Sequence, residues 1–442
     1  MVEPASFDVL VIGAGPAGLA AACVAAESGQ RVGVVDDNFS PGGQIWRGQA
    51  VSKEKTPWLG RIIGKTGIRP TVDSLASYWL ERTAKSDLAW YPSTRIVTAP
   101  GPNRLLGENA DGAVSLAYQK LILATGAREL FLPFPGWTLP NVMGAGGLQA
   151  MAKGGMPIVG KRVVVAGTGP LLLVVAAYLR QHGAIVPVVA EQAAAWSLTQ
   201  FGAGLSREPG KLAQAFALRA QLRGVPFLTY TWPTAVTADG EGLRVTLRQR
   251  GQSRDIACDY LACGFGLVPN LELPCLLGCG IIEGAVLVDD WQETTVTGVY
   301  CVGEPTGVGG VDKAVLEGQV AGYAASGQRD RAESLFGKRD AAQRFVGHLK
   351  RTFALQPELR QLPTPETLVC RCEDVTYGRL HGYASWRAAK LHTRCGMGPC
   401  QGRICGAALH ALFDWEDDSA RPPVFPATLA TLARGLDTER IE

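Results

Sequence analysis

The sequence predicts an α/β protein in which one dinucleotide-binding domain is interrupted by a second and followed by a small cysteine-rich domain. Three observations lead there. Strand–glycine–helix–strand units begin at residues 7 and 162, apolar strands ending in glycine recur far from the first unit, and five of the eleven cysteines fall within residues 370–405. A chain of 442 residues, 47% of them hydrophobic, can bury two or three separate cores. The formal net charge of +3 and scattered basic residues exclude a strong field for nucleic acid or an anionic membrane.

Residues 7–12, FDVLVI, read as a short buried strand. The run Gly13-Ala14-Gly15-Pro16-Ala17-Gly18 follows, then an alanine-rich helical stretch to Ser28 and a second strand, residues 31–35, ending at Asp36. This order is the dinucleotide-binding fingerprint. Gly13 permits the tight turn, Gly15 lets backbone approach a pyrophosphate at the positive helix end, and Gly18 lets helix and strand pack closely. Asp36 can accept hydrogen bonds from ribose hydroxyls. The fingerprint serves any ADP moiety, so FAD, NAD and ATP all remain open here. The N-terminal 29 residues contain a long apolar run, but Glu3 and no Lys or Arg comes before it, so the stretch reads as folded core rather than a targeting segment. No apolar run elsewhere is long enough to predict a membrane span.

The second unit runs RVVVAG, then Gly167-Thr168-Gly169-Pro170-Leu171-Leu172, a helical stretch, and AIVPVVAE ending at Glu191. Leu172 replaces the third glycine, so this fold signal comes with a weaker ligand signal. If Glu191 meets a ribose, it favours NAD over NADP. An empty scaffold domain is the other reading. Further strands are expected at KLILATGAR (120–128), ending in Thr125-Gly126, at YLACGFGLVP (260–269), and at GVYCVGE (298–304), ending in Gly303-Glu304. A helix over about 312–325 would point its N-terminus at the first domain's nucleotide.

These segments resemble the two-dinucleotide-domain flavoprotein fold, shared by disulfide reductases, ferredoxin reductases and many FAD oxidoreductases. VIGAGPAGLAAA, Pro41-Gly42-Gly43-Gln44, Ala124-Thr125-Gly126 and Val302-Gly303-Glu304 carry the resemblance over about residues 5–328. It implies FAD in the first domain, with Glu304 near the ribityl or pyrophosphate region where Asp is usual. A disulfide reductase needs a close cysteine pair beside the flavin, one thiolate to attack and one to resolve. Upstream of 370 only Cys275 and Cys279 come close, and they read as small core residues, so disulfide reduction is excluded.

Residues 329–363 read as a charged helical connector, and the cysteines begin after the break QLPTPETLV. The odd cysteine count and tight spacing point to metal chemistry in a reducing compartment, taken here as the cytoplasm, with the inner-membrane surface as a further option. Cys370-x-Cys372 and, after 27 intervening residues, Cys400-x4-Cys405 suit a thiolate-bound metal. The spacing fits a common zinc pattern badly.

The stretch CRCEDVT…TRCGMGPCQGRICG instead resembles the small mainly helical [2Fe-2S] domain first known from bacterioferritin-associated ferredoxin. By that match the ligands are Cys370, Cys372, Cys400 and Cys405. Cys395 falls where that family has a small residue and is taken as a bystander. The expected domains are 1–125 (first dinucleotide domain), 126–280 (inserted second), 281–328 (return of the first), 329–363 (linker), 364–415 ([2Fe-2S] domain) and 416–442 (tail).

Along nearly its whole length the chain is similar to the α (A) subunits of heteromeric opine oxidases or dehydrogenases, D-hydroxyproline and L-proline dehydrogenases and hydrogen cyanide synthase. The α subunit of heterotetrameric sarcosine oxidase is a more distant relative. PGGQIWR, with Gly42, Gly43, Gln44 and Arg47, and TRCGMGPCQGR are the most specific matches. The resemblance implies amine oxidation at the flavin of a separate β subunit, an FMN at the subunit interface, and electron relay through this chain to a respiratory acceptor or a small third subunit. Catalytic acid–base residues are expected nowhere in the chain, since cofactors carry such chemistry. The five histidines are dispersed. A stand-alone NAD(P)H-dependent reductase and a non-catalytic assembly subunit remain as alternatives.

Overall fold

In the computed structural model, residues 4–47, 72–205, 209–416 and 420–436 are described; parts of the expected first domain and tail lie outside them. The chain divides into two units: Met1–Arg128 with Pro269–Val346 and Ser419–Glu442, and Glu129–Val268 with Gly347–Asp418. The return to the first unit thus comes at Pro269 rather than at 281. Asn270 accounts for this: its amide and side chain bond the Gly126 and Thr125 carbonyls, and its own carbonyl accepts from the Thr125 hydroxyl.

The first unit opens with β1 (Ala5–Ile12), α1 (Pro16–Glu27) and β2 (Val32–Val35). Pro16 suits the first helical position because its missing N–H would have no partner there. Alanines let α1 bury residues 17–25 against the sheet. Then come α2 (Val72–Lys85), β3 (Leu88–Tyr91), β4 (Arg95–Gly101), β5 (Arg104–Asn109) and the long β6 (Gly112–Leu123). β6 ends sooner than the strand expected over 120–128, because the chain turns at Ala124–Gly126, where Gly126 takes φ +70°.

The inserted second unit carries β7 (Val163–Gly167), α3 (Leu171–Gln181), β8 (Val189–Glu191) and β9 (Tyr260–Gly264) in a five-stranded parallel sheet completed by Phe227–Thr229 and Val142–Gly144. β8 is short for the stretch AIVPVVAE because Pro187 has no N–H to give the ladder. A three-stranded antiparallel sheet covers Thr231–Asp239, Gly242–Gln249 and Gln252–Cys258.

The first unit is completed by β10 (Val299–Cys301) and α4 (Val311–Ala325). Its seven-stranded sheet runs β3-β2-β1-β6-β5-β4, with β10 also on β6. The parallel register pairs Ile12 with Leu123 and Cys301 with Leu123. The carboxyl ends of three strands distant in sequence therefore align, and the loops after them meet at one edge.

α1 and α4 pack backbone against backbone. A Cβ built on Gly318 would lie 2.2 Å from the Ala17 carbonyl oxygen, and one on Gly322 would lie 2.7 Å from that of Ala21. The matching order of these contacts makes the two helices parallel.

The cysteine segment belongs to the second unit. It comprises β11 (Leu368–Cys370), β12 (Val375–Thr376), α5 (Trp386–Thr393) and α6 (Cys405–Phe413). Within that unit, Trp137 Nε1 donates to the Leu368 carbonyl at 2.6 Å, and Ala407 and Ala411 of α6 pack on the core that holds Val164 and Leu261.

Two glycines separate structure from function. Gly318→Val has no room beside Ala17 and is expected to cost about 2 kcal/mol or more, read as a clear fall in melting temperature. Gly15→Ala, with no atom within 4 Å of its Cβ, is expected to melt like the parent when both are free of ligand. Equal melting temperatures for Gly318→Val and the parent would contradict the packing account.

Candidate functional site

The aligned strand ends build the first site. Gly13 takes φ +107°, and a Cβ there would lie 2.2 Å from the Ala124 carbonyl oxygen. Gly15 opens α1 with no side-chain cap, and the space above it is open. Free amides at a helix start suit an anion. Ala17 and Gly18 are buried on the first turn. The Ala14 amide donates to Asp36 Oδ2, and the amide and side chain of Asn38 both donate to Asp36 Oδ1 at 2.7 Å.

The Pro41–Arg47 loop folds back over this turn. Gly42 N donates to the Ala14 carbonyl at 2.8 Å, and a Cβ on Gly43, at φ +58°, would lie 2.9 Å from Gly15 Cα. Fully buried Trp46 anchors the loop, Arg47 donates to Asn38 Oδ1, and Gln44 is exposed. A cleft of about 280 Å3 opens here, lined by Asp36, Asn38, Phe39, Pro41, Leu80 and Trp90 among others. Phe39 and Trp90 are exposed at its rim, offering flat faces to an aromatic base. These lining residues beyond the fingerprint carry no local motif that marks them in the sequence.

Gly303, at φ +83°, brings the chain to within contact of Ala17, and Glu304 follows. Glu304 Oε1 accepts from the Gly310 amide at 3.0 Å, while buried Oε2 has no partner among the described residues. Burial pushes the Glu304 carboxyl upward, against the pull of Lys313. Lys313 is 3% exposed and bonds the Gly303 carbonyl, the Thr306 hydroxyl and fully buried Glu317, each at 2.8 Å. Thr125 and Gly126 lie at the same edge, but the Thr125 hydroxyl is spent on Asn270.

The second glycine-rich turn is different. Gly167 has φ +130° and Gly169 φ +98°, as a tight turn requires. Glu191, however, is 2% exposed and faces inward. Its carboxylate accepts from the Thr168 hydroxyl, the Gly169 amide and the Ala193 amide, all at 2.8 Å. The Gly169 amide, which a phosphate would need, is therefore satisfied by the protein. Gln192 closes the same corner, donating to Thr168 and to the Ala354 carbonyl and accepting from the Gln356 amide. Burial pushes the Glu191 carboxyl up to about 7, against the hydrogen bonds it accepts.

The third site is the cysteine cluster. Cys370, Cys395 and Cys405 are at most 1% exposed, and their Sγ atoms all lie within 4.8 Å of one another. Cys395, a bystander by its sequence position, is thus placed inside the group. Cys372 is exposed and Cys400 partly buried. These two pair with each other through the Cys400 amide and thiol.

Glycines shape this nest. A Cβ on Gly398 would lie 2.2 Å from that of Cys372, and Trp386 fills the space beside Gly396, Gly402 and Gly406. Gly396 and Gly402 take left-handed φ values of +86° and +81°, as do Arg394 at 66° and Gln401 at 50°. Thiol hydrogen bonds from Cys395 and Cys405 hold the Cys370 thiol well below its usual range, assisted by the amides of Gly396 and Glu373. A thiolate set with backbone N–H donors to sulfur fits an iron–sulfur centre or another thiophilic metal.

Five of the six cysteines before residue 370 are poor nucleophiles. Burial pushes the Cys258 thiol up to about 11 and raises those of Cys23, Cys263, Cys279 and Cys301. Cys279 packs in the core and bonds Thr294 at 3.6 Å. No helix among the described residues is long and apolar enough to cross a membrane.

The profile of the family described as pyridine nucleotide-disulphide oxidoreductase matches residues 7–318. The A subunit of opine oxidase from Rhizobium meliloti (strain 1021) is 32% identical, over 97% of this chain and 98% of its own length. The HcnB subunit of hydrogen cyanide synthase from Pseudomonas aeruginosa is 29% identical over 90% of each. Among solved structures, L-proline dehydrogenase from P. horikoshii aligns with a TM-score of 0.64 at 17% identity, covering 98% of this chain and 80% of that one. Thioredoxin reductase of T. acidophilum aligns at TM-score 0.53 and 21% identity, over 73% and 98%. These structural likenesses speak to the fold.

Glu191 yields a pH prediction. Its folded pKa of about 7 exceeds the ordinary 4.5, so between those values the folded state keeps a proton that the unfolded chain has released. Stability from this group is full below about pH 4.5, is lost as pH rises to about 7, and is level above. The melting temperature of the parent relative to Glu191→Gln should therefore fall across that window. A difference that stays constant with pH would contradict the assignment.

Proposed function

The chain belongs to the pyridine nucleotide-disulphide oxidoreductase family, and from that premise we propose that it is the nucleotide-binding, electron-relaying A-type component of a heteromeric amine or imino-acid dehydrogenase or oxidase of the opine, hydroxyproline or proline kind. The observation that carries this reading is the gathering of five cysteines in one nest on a fold of this family. No cysteine is among the described residues that line the cleft beside Asp36.

In this reading the first site takes FAD or another ADP-containing nucleotide. The open space above Gly15, the uncapped start of α1 and the cleft beside Asp36 fit a pyrophosphate and an adenosine. The partnerless Glu304 Oε2 fits an acceptor for a ligand hydroxyl. Gly42 and Gly43 bring the 41–47 loop over the phosphate end, and Arg47 and Asn38 brace Asp36.

Cys370, Cys372, Cys400 and Cys405 are assigned as the holders of a [2Fe-2S] centre. When bound it supplies one-electron transfer, which lets a two-electron flavin donor feed a one-electron acceptor. The chain's own contribution is to favour the deprotonated form of the buried Cys370 sulfur. Amides of Gly396 and Glu373 aim at Cys370, and Trp386 excludes water from behind the loop. Partners are a flavin-containing β subunit that oxidises the substrate, with an FMN at their interface, and a respiratory or small-protein acceptor, in the cytoplasm.

The inward-facing Glu191 counts against the alternative of a self-sufficient NAD(P)H reductase, since the ribose and phosphate contacts of the second turn are already taken.

The test uses the complex with its partner subunit. Cys400→Ser is expected to slow reduction of the terminal acceptor at least tenfold while substrate still bleaches the partner's flavin. NADH added to this chain alone is expected to leave its absorbance unchanged. Parent-like turnover in the variant, or rapid bleaching by NADH, would refute the reading.

A further inference from the structure

A [2Fe-2S] centre takes four thiolates, two on each iron. The nest offers five. They fall into two groups by position. Cys372 and Cys400 face each other at the accessible side. Cys370, Cys395 and Cys405 form the buried triad. The accessible pair has one thiol for each place on its iron, and the buried triad has one more than its iron needs.

The triad is not symmetric. Cys370 is the shared hydrogen-bond acceptor of the other two thiols and of two backbone amides. It is the fixed member, and Cys395 and Cys405 compete for the remaining place. Cys405 is the first residue of α6, which fixes its backbone. Cys395 is no loose bystander either. Its carbonyl accepts from Trp386 Nε1 at 3.3 Å, and its amide donates to the Thr393 hydroxyl at 3.2 Å. Its backbone is therefore held in place with its thiol already aimed at the other two.

We propose that Cys395 is an alternate ligand at the buried end of the cluster site, able to replace Cys405. In either arrangement the ligating thiol gives its proton to solvent and the displaced sulfur takes one back, so the charge on the site does not change. The chain thereby carries a reserve ligand within reach of the same iron. This rests on the [2Fe-2S] reading given above.

The experiment compares the full-length parent with Cys395→Ala, Cys405→Ala and the double variant, each purified anaerobically. Iron and acid-labile sulfide per chain are measured, together with electron paramagnetic resonance after dithionite reduction. Each single variant is expected to keep about two irons and two sulfides per chain, with shifted g-values in Cys405→Ala. The double variant is expected to lose the cluster.

Loss of the cluster in Cys405→Ala alone, or its survival in the double variant, would overturn the proposal. Zinc without labile sulfide in the parent would instead overturn the [2Fe-2S] reading itself, so the two failures are distinct. Cys405→Ser, closer to cysteine in volume, carries the same comparison if the alanine variant does not fold.

Discussion

The first site depends on one contact, the backbone-to-backbone packing of α1 against α4. Gly318 and Gly322 remove the side chains that would hold the helices apart from Ala17 and Ala21. Because the helices run parallel, their positive ends point the same way. Aligned neighbouring dipoles repel, so the pairing is unfavourable by itself and is relieved by negative charge near those ends. Buried Glu317 answers Lys313 on α4, and Glu304 lies just ahead of that helix. The start of α1, by contrast, has no acidic residue and no side-chain cap. It is the place left for the anionic part of a ligand.

The second unit uses the same local grammar for another end. Its glycines make the same turn, and β7 and β8 place Gly167 beside Glu191 in the ladder. Thr168, between the two glycines, adds a hydroxyl that draws the carboxylate inward. With Gln192 bridging to the 354–356 segment, the corner is filled by the protein's own groups. The unit then serves to carry the cysteine segment, through Trp137 on Leu368 and α6 on the core. A turn that is left open in one half of the chain is closed by the protein's own groups in the other, in the unit that carries the cysteine cluster.

What was legible in the sequence follows from which constraints are local. Gly13 and Gly18 are dictated by a turn and a close approach that no other residue tolerates, so the pattern announces the first site. Strands ending at Leu123, Gly264 and Cys301 were readable because buried parallel strands are short apolar runs. The inward turn of Glu191 was not, since its donors come from Thr168 and Ala193 and only folding shows which way the carboxylate faces. Nor was the place of Cys395. Spacing shows which thiols share a loop, but the triad is made by Trp386 wedged among Gly396, Gly402 and Gly406, residues that bring the end of α5 against β11 and α6. The switch back to the first unit at Pro269 rests likewise on Asn270, a residue with no motif around it, whose bonds to Thr125 and Gly126 only the fold reveals.

The central claim is that this chain itself carries a one-electron centre in its cysteine nest. An anaerobic reductive titration tests it most directly, counting electrons taken up per chain and spins formed at full reduction. The account predicts an odd number of electrons and about one spin per chain, the single electron of the cluster being added to whatever even number a bound flavin accepts. An even number with no spin at the end point would contradict it.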